Sequence, residues 1–163
     1  MRLEEMPLDI GYASEVISVT DKESKKETTL GGQNGKTQIL ISVPFIDESV
    51  KEELKSIDKD LPSGGEYEVT ASLILTKEPE DDLGLEKIKV YLDDKEEFAD
   101  FYGTKLSGEP FENGLTKALI LISKDGAIFY DDFVEDLGEK FNQETLARKI
   151  YAAQTCYTGK GCH

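Results

Sequence analysis

Two stretches of this chain carry residues whose types and spacing could do chemistry. The first is "VPFIDESVKEEL" (43–54). A β-branched run, "KTQILISV" (36–43), leads into Pro44, then Asp47, then helix formers. That pattern delivers a strand to the N-terminus of a helix, where the macrodipole and open N–H groups favour anions and thiolates. The first turn of that helix carries Lys51, with Glu48 three residues before it. Lys51 reads as an anion or partner contact, as a Schiff-base amine, or as a surface lysine paired with Glu48. The exposed pair is the commonest of these. The second stretch is the tail "TCYTGKGCH" (155–163), which holds Cys156, Cys162 and His163. It reads as a redox dithiol with Lys160 nearby to lower a thiol pKa, as a metal tail, or as an exposed terminus without chemistry. A disulfide across Cys156 and Cys162 would contribute roughly 2 kcal/mol. Zinc normally takes four ligands at firmer spacing, so Cys156, Cys162 and His163 make a poor metal set.

The histidine at 163 is the only one, and both cysteines lie in the tail. Acyl-transfer triads built on a buried histidine are therefore nearly excluded. The cysteine usage fits a reducing compartment better than a secreted disulfide scaffold. The opening "MRLEEMPLDI" has no apolar run of a signal peptide, and no stretch approaches a membrane span. The expectation is a cytoplasmic protein. A net charge of −15 repels phosphates, which argues against nucleic acid and anionic membranes as partners. No cofactor is expected.

The elements that must position these residues follow from periodicity. Residues 10–30 predict an N-terminal β-hairpin around "DKESKKE". Strands are predicted over 36–43, 67–75, 87–93, 117–123 and 126–134, the last two joined by the turn "KDG". Val50, Leu54, Ile57 and Leu61 make a helical stripe behind Asp47, a natural N-cap. A short helix is predicted over 94–103 and a capped one over 142–154, with Asn142 at its N-cap. Segments 61–65, 76–86 and 106–114 read as loops. The 163 residues suit one domain over 1–154 and a flexible tail over 155–163. The early β-α-β order and late hairpin predict an α/β three-layer sandwich, a mixed central sheet with helices on both faces, the layout of a thioredoxin-like fold.

"PFIDESVK" (44–51) resembles the P-S-I-D-T-x-V-C segment of the thiol peroxidases, a branch of the peroxiredoxins, with Pro44, Ile46, Asp47 and Val50 matching in place. "EEFADFYG" (96–103) and "GLTKALILISKDGAIFYDDFVED" (114–136) resemble two further segments of that family in the same order. The resemblance implies a thioredoxin-like fold, a homodimer, and a thioredoxin-type reductant or other protein partner. It also implies a site with several departures. The family's threonine position holds Glu48, its peroxidatic cysteine position Lys51, and its arginine position Lys117. No cysteine occupies the region of the resolving cysteine. Of the reacting groups Pro44 alone remains, as a degenerate site of Pro44, Glu48, Lys51 and Lys117. The resemblance therefore implies a binding or regulatory protein that has lost peroxidase activity at the usual site. The alternative is a divergent thiol-dependent oxidoreductase in antioxidant defence using Cys156 and Cys162.

Overall fold

The computed structural model describes residues 2–3, 10–62, 69–80, 82–104, 106–107, 114–134 and 139–155. The tail with Cys156, Cys162 and His163 lies outside the described residues. Nine strands and three helices follow along these residues: β1 (Arg2–Leu3), β2 (Ile17–Asp21), β3 (Glu27–Leu30), β4 (Thr37–Ser42), α1 (Glu48–Asp60), β5 (Val69–Leu75), β6 (Ile88–Leu92), α2 (Glu97–Phe101), β7 (Leu106–Ser107), β8 (Ala118–Ile122), β9 (Ile128–Phe133) and α3 (Gln143–Thr155).

Seven strands form one mixed sheet in the order β3-β2-β6-β5-β4-β8-β9. β4, β5 and β6 are parallel neighbours, with Thr37 opposite Val69 and Ala71 opposite Ile88. β2, β8 and β9 join antiparallel, and β2 with β3 is the expected N-terminal hairpin. This is an α/β thioredoxin-like fold.

The alternation of a strand sends β4 into two cores at once. Ile39 and Ile41 pack with Leu54 and Ile57 of α1 and Leu146 and Ile150 of α3. Leu40, between them, packs on the opposite face with Phe98 and Tyr102 around α2. All six residues of β4 are buried, as expected of a central strand covered on both faces. Its polar side chains are satisfied: Thr37 donates to Gln154 Oε1 at 2.8 Å, and Ser42 donates to Thr116 O at 2.7 Å.

Two local outcomes differ from the sequence expectation. Leu106–Ser107, read as loop, pairs antiparallel with Arg2–Leu3 in a separate two-stranded ladder. Two residues carry no periodicity, so such a ladder has no sequence signal. α2 begins at Glu97, not at 94, because Glu96 adopts a left-handed φ of 57°. The N–H groups of Phe98 and Ala99 then donate to the Asp93 carboxylate at 2.9 and 3.0 Å. The strand predicted over 67–75 is present from Val69 to Leu75, and positions 67 and 68 lie outside the described residues.

The parallel crossover from β5 to β6 carries no helix in its described residues. It is held instead at the far end of α1. Asp58 accepts three backbone N–H groups, from Glu86 at 3.0 Å, Lys87 at 2.7 Å and Ile88 at 2.8 Å. Lys87 Nζ donates to Leu61 O at 2.7 Å and Lys59 O at 3.2 Å. A cation thus meets the open carbonyls at the C-terminal end of α1.

Candidate functional site

β4 ends at Ser42 and the chain turns through Val43–Ile46 into α1. Asp47 caps the helix: Val50 N donates to Asp47 Oδ1 at 2.8 Å. The first turn therefore holds Glu48 and Lys51, as expected. Lys51 Nζ lies 3.6 Å from Glu48 Oε1. The Lys51 side chain is 24% exposed and that of Glu48 89% exposed, so the pair is half in solvent and worth little, about 0–1 kcal/mol.

Beside this turn is a cleft of about 550 Å³. It opens outside the carboxyl ends of the parallel strands β4 and β5, the region where open α/β sheets bind ligands. Val43, Leu75 and Leu83 are buried in its wall, and Phe45 and Ile46 are partly buried. Pro44 and Lys51 line it as well, and Lys77, Glu78 and Glu80 stand on its exposed rim. Glu78 is bonded to Lys25 from the β2–β3 turn.

Lys117 lies elsewhere. It precedes β8 and is 3% exposed, and its Nζ sits 2.6 Å from Oε1 of Glu53, which is 2% exposed. Lys117 Nζ also donates to Glu139 O, and the Phe141 ring lies 5.1 Å from it. Glu53 Oε2 accepts the N–H of Phe141. One buried pair thus joins α1, the start of β8 and the segment entering α3. Lys51 and Glu53 project about 200° apart around α1 at 3.6 residues per turn, so Lys51 meets the cleft while Lys117 is committed to the core. Of the four positions of the degenerate site, Pro44 and Lys51 line the cleft, Glu48 pairs with Lys51, and Lys117 pairs with Glu53.

Glu53 and Phe141 were not singled out in the sequence. Glu53 had a signal: it lies three residues after Val50 on the apolar stripe, and a carboxylate there needs a cation. Phe141 had none beyond its apolar character.

The arrangement places a cation, not a sulfur, at the first turn of α1. An ammonium at that place can hold an anion, but it cannot attack an O–O bond as a thiolate does. Among the described residues, no group of three or more His, Cys, Asp or Glu side chains could hold a metal ion. Among them too, no helix is long and apolar enough to cross a membrane.

The architecture is an α/β thioredoxin-like fold that solved peroxiredoxin structures share. No family model and no curated protein matches the sequence. Among solved structures, the chain is similar to a peroxiredoxin-like protein from Aquifex aeolicus, at 22% identity and TM-score 0.82, over 93% of this chain and 91% of that one. It is similar to the thiol peroxidase from Chromobacterium violaceum at 13% identity and TM-score 0.76, over 94% and 91%. AhpC of Mycobacterium tuberculosis follows the same path at 12% identity and TM-score 0.71, over 96% of this chain and all of that one. Identities this low establish the shared fold.

Proposed function

We propose that this protein is a peroxiredoxin-family chain of the thiol peroxidase branch, that Lys51 occupies the position of the attacking cysteine, and that it serves as a binding or regulatory protein. One observation carries this reading. The strand-turn-helix that would present a thiolate presents a lysine beside a formed cleft, with Pro44 and the Asp47 cap in place. Peroxide reduction needs a thiolate that becomes a sulfenic acid, and lysine offers no equivalent step.

The remaining positions support the same conclusion. Glu48 places a carboxylate where the family has a hydroxyl. Lys117, at the arginine position, is paired with Glu53 and cannot make a guanidinium's bidentate contact. We take residues 1–154 as one domain with a Cys-containing tail over 155–163, acting as a cytoplasmic homodimer. The charge of −15 supports partners other than nucleic acid or anionic membrane.

A coupled assay with thioredoxin, its reductase and hydrogen peroxide tests the reading. Reductant consumption at the background rate is expected. Turnover that saturates with peroxide would overturn it and return the protein to the thiol-dependent oxidoreductases.

A further inference from the structure

We infer that Asn34 is a site of spontaneous modification, where the folded protein loses ammonia and gains aspartate and isoaspartate. The reaction needs only water. The backbone nitrogen of the next residue attacks the asparagine side-chain carbonyl carbon, and three features of the loop 31–36 suit that step.

The first is the neighbour. Gly35 follows Asn34, with a φ of 80° and open space where a Cβ would stand. No side chain hinders the approach of its nitrogen to Asn34 Cγ, and glycine turns through conformations that other residues avoid. The second is the freedom of that nitrogen. Among the described residues no hydrogen bond engages the Gly35 N–H. Gln33, Asn34, Gly35 and Lys36 are all exposed, so solvent base can take its proton. The third is the electrophile. Asn34 Oδ1 accepts the N–H of Lys36 at 3.0 Å, which folds the side-chain amide back over the Gly35 peptide. The same N–H polarises the carbonyl and faces the oxygen on which negative charge develops.

The steps balance without oxidation or reduction. Gly35 N gives up its proton and bonds to Asn34 Cγ. The Cγ–Nδ2 bond breaks, and the amide nitrogen leaves with that proton as ammonia. Water then opens the cyclic imide. Cleavage at Cγ gives aspartate, and cleavage at the main-chain carbonyl carbon gives isoaspartate. Either product adds a negative charge, and isoaspartate also routes the main chain through the side chain.

The flanks of the loop are held. Gly31 N donates to Gln38 Oε1 and Gln38 Nε2 to Gly32 O, both at 2.9 Å. Gln33 packs on Gly126, where a Cβ would come within 2.8 Å of Gln33 N. The change is therefore confined to the exposed residues ahead of β4, and the fold outlasts it.

Asn142 supplies an internal comparison. It is exposed too, but its Oδ1 accepts the N–H of Thr145 at 2.9 Å as the cap of α3. Gln143, which follows it, has a Cβ and is already helical, so attack there is hindered. Asn113 also precedes a glycine and lies outside the described residues.

The test incubates the full chain for weeks at neutral pH and physiological temperature. Peptide mapping by mass spectrometry separates positions 34, 113 and 142, and an isoaspartyl methyltransferase with labelled methyl donor reports isoaspartate. Asn34 is expected to convert to both products, about tenfold or more faster than Asn142. Gly35→Ala is expected to slow Asn34 about tenfold or more, with circular dichroism confirming that the variant is folded. Asn34 converting no faster than Asn142, conversion at Asn34 without isoaspartate, or a folded Gly35→Ala variant converting as fast as the parent would each overturn the inference. The comparison of Asn34 with Asn142 is made within the parent and does not depend on the variant.

Discussion

At position 51 the first turn of α1 carries a cation beside the Asp47 cap. A cysteine placed there meets two opposing influences. The helix N-terminus lowers a thiol pKa, and the Glu48 carboxylate, three residues back on the same face, raises it. We expect the thiol of Lys51→Cys to titrate near the ordinary value of about 8.5 or above. The double variant Glu48→Thr with Lys51→Cys should titrate lower, read from thiolate ultraviolet absorbance or alkylation rate against pH. Equal values in the two variants would show that Glu48 has no influence there. Lys117 and Glu53 make the second residue-scale case. Removing one partner leaves a buried charge uncompensated, so Lys117→Met should cost about 3–5 kcal/mol in denaturant unfolding. Lys117→Met combined with Glu53→Leu should recover most of that loss, because the orphaned charge is gone; a double variant as unstable as the single one would contradict this. The identity of Lys51 and its place in the first turn were legible in the sequence, since an N-cap and a strand end fix the register. The burial of Lys117 was not, because its partner lies 64 residues away in the chain and only the folded sheet brings α1 against the start of β8.

At the element scale, α2 shows how one carboxylate can replace a regular cap. Asp93 accepts the N–H groups of Phe98 and Ala99 from a largely buried position. Burial pushes its pKa above the ordinary 3.8, against the pull of those two hydrogen bonds. The folded chain therefore binds this proton more tightly than the unfolded chain. The stability from this group is fully present below 3.8 and is lost as pH rises through the raised value. Measured against Asp93→Asn across mildly acidic pH, the parent should lose stability relative to the variant as pH rises. A constant difference would contradict the assignment. At the other end of the crossover, Asp58→Ala frees three backbone N–H groups, and should cost about 2–4 kcal/mol. Exchange of the Glu86–Ile88 amides should speed up in that variant. Sequence periodicity found α1, α3 and the long strands because each presents an apolar face to a core. It missed the late start of α2, since Glu96 in a left-handed conformation answers to Asp93 and not to its own propensity. It also missed the β1–β7 ladder, which is two residues long.

At the scale of the whole molecule, the sheet order β3-β2-β6-β5-β4-β8-β9 gathers the candidate site at one end of the parallel strands. The β4–α1 turn, the β5–β6 crossover and Gly114 meet there around the cleft. The order of three sequence segments already implied this fold, because a β-α-β unit followed by an antiparallel hairpin has few ways to cover both faces of a sheet. The cleft itself was not legible. Its wall combines residues more than 30 positions apart, and their apolar character alone would place them in a core. Redox chemistry in this chain would have to come from Cys156 and Cys162, since no cysteine stands in the α1 turn. Stopped-flow mixing of the reduced protein with hydrogen peroxide, with free thiols counted over time, tests this most directly. The account predicts slow thiol loss and no rapid turnover, with the parent, Cys156→Ser and Cys162→Ser alike in peroxide consumption. Rapid turnover in the parent that disappears in either serine variant would contradict it and make the tail the active site.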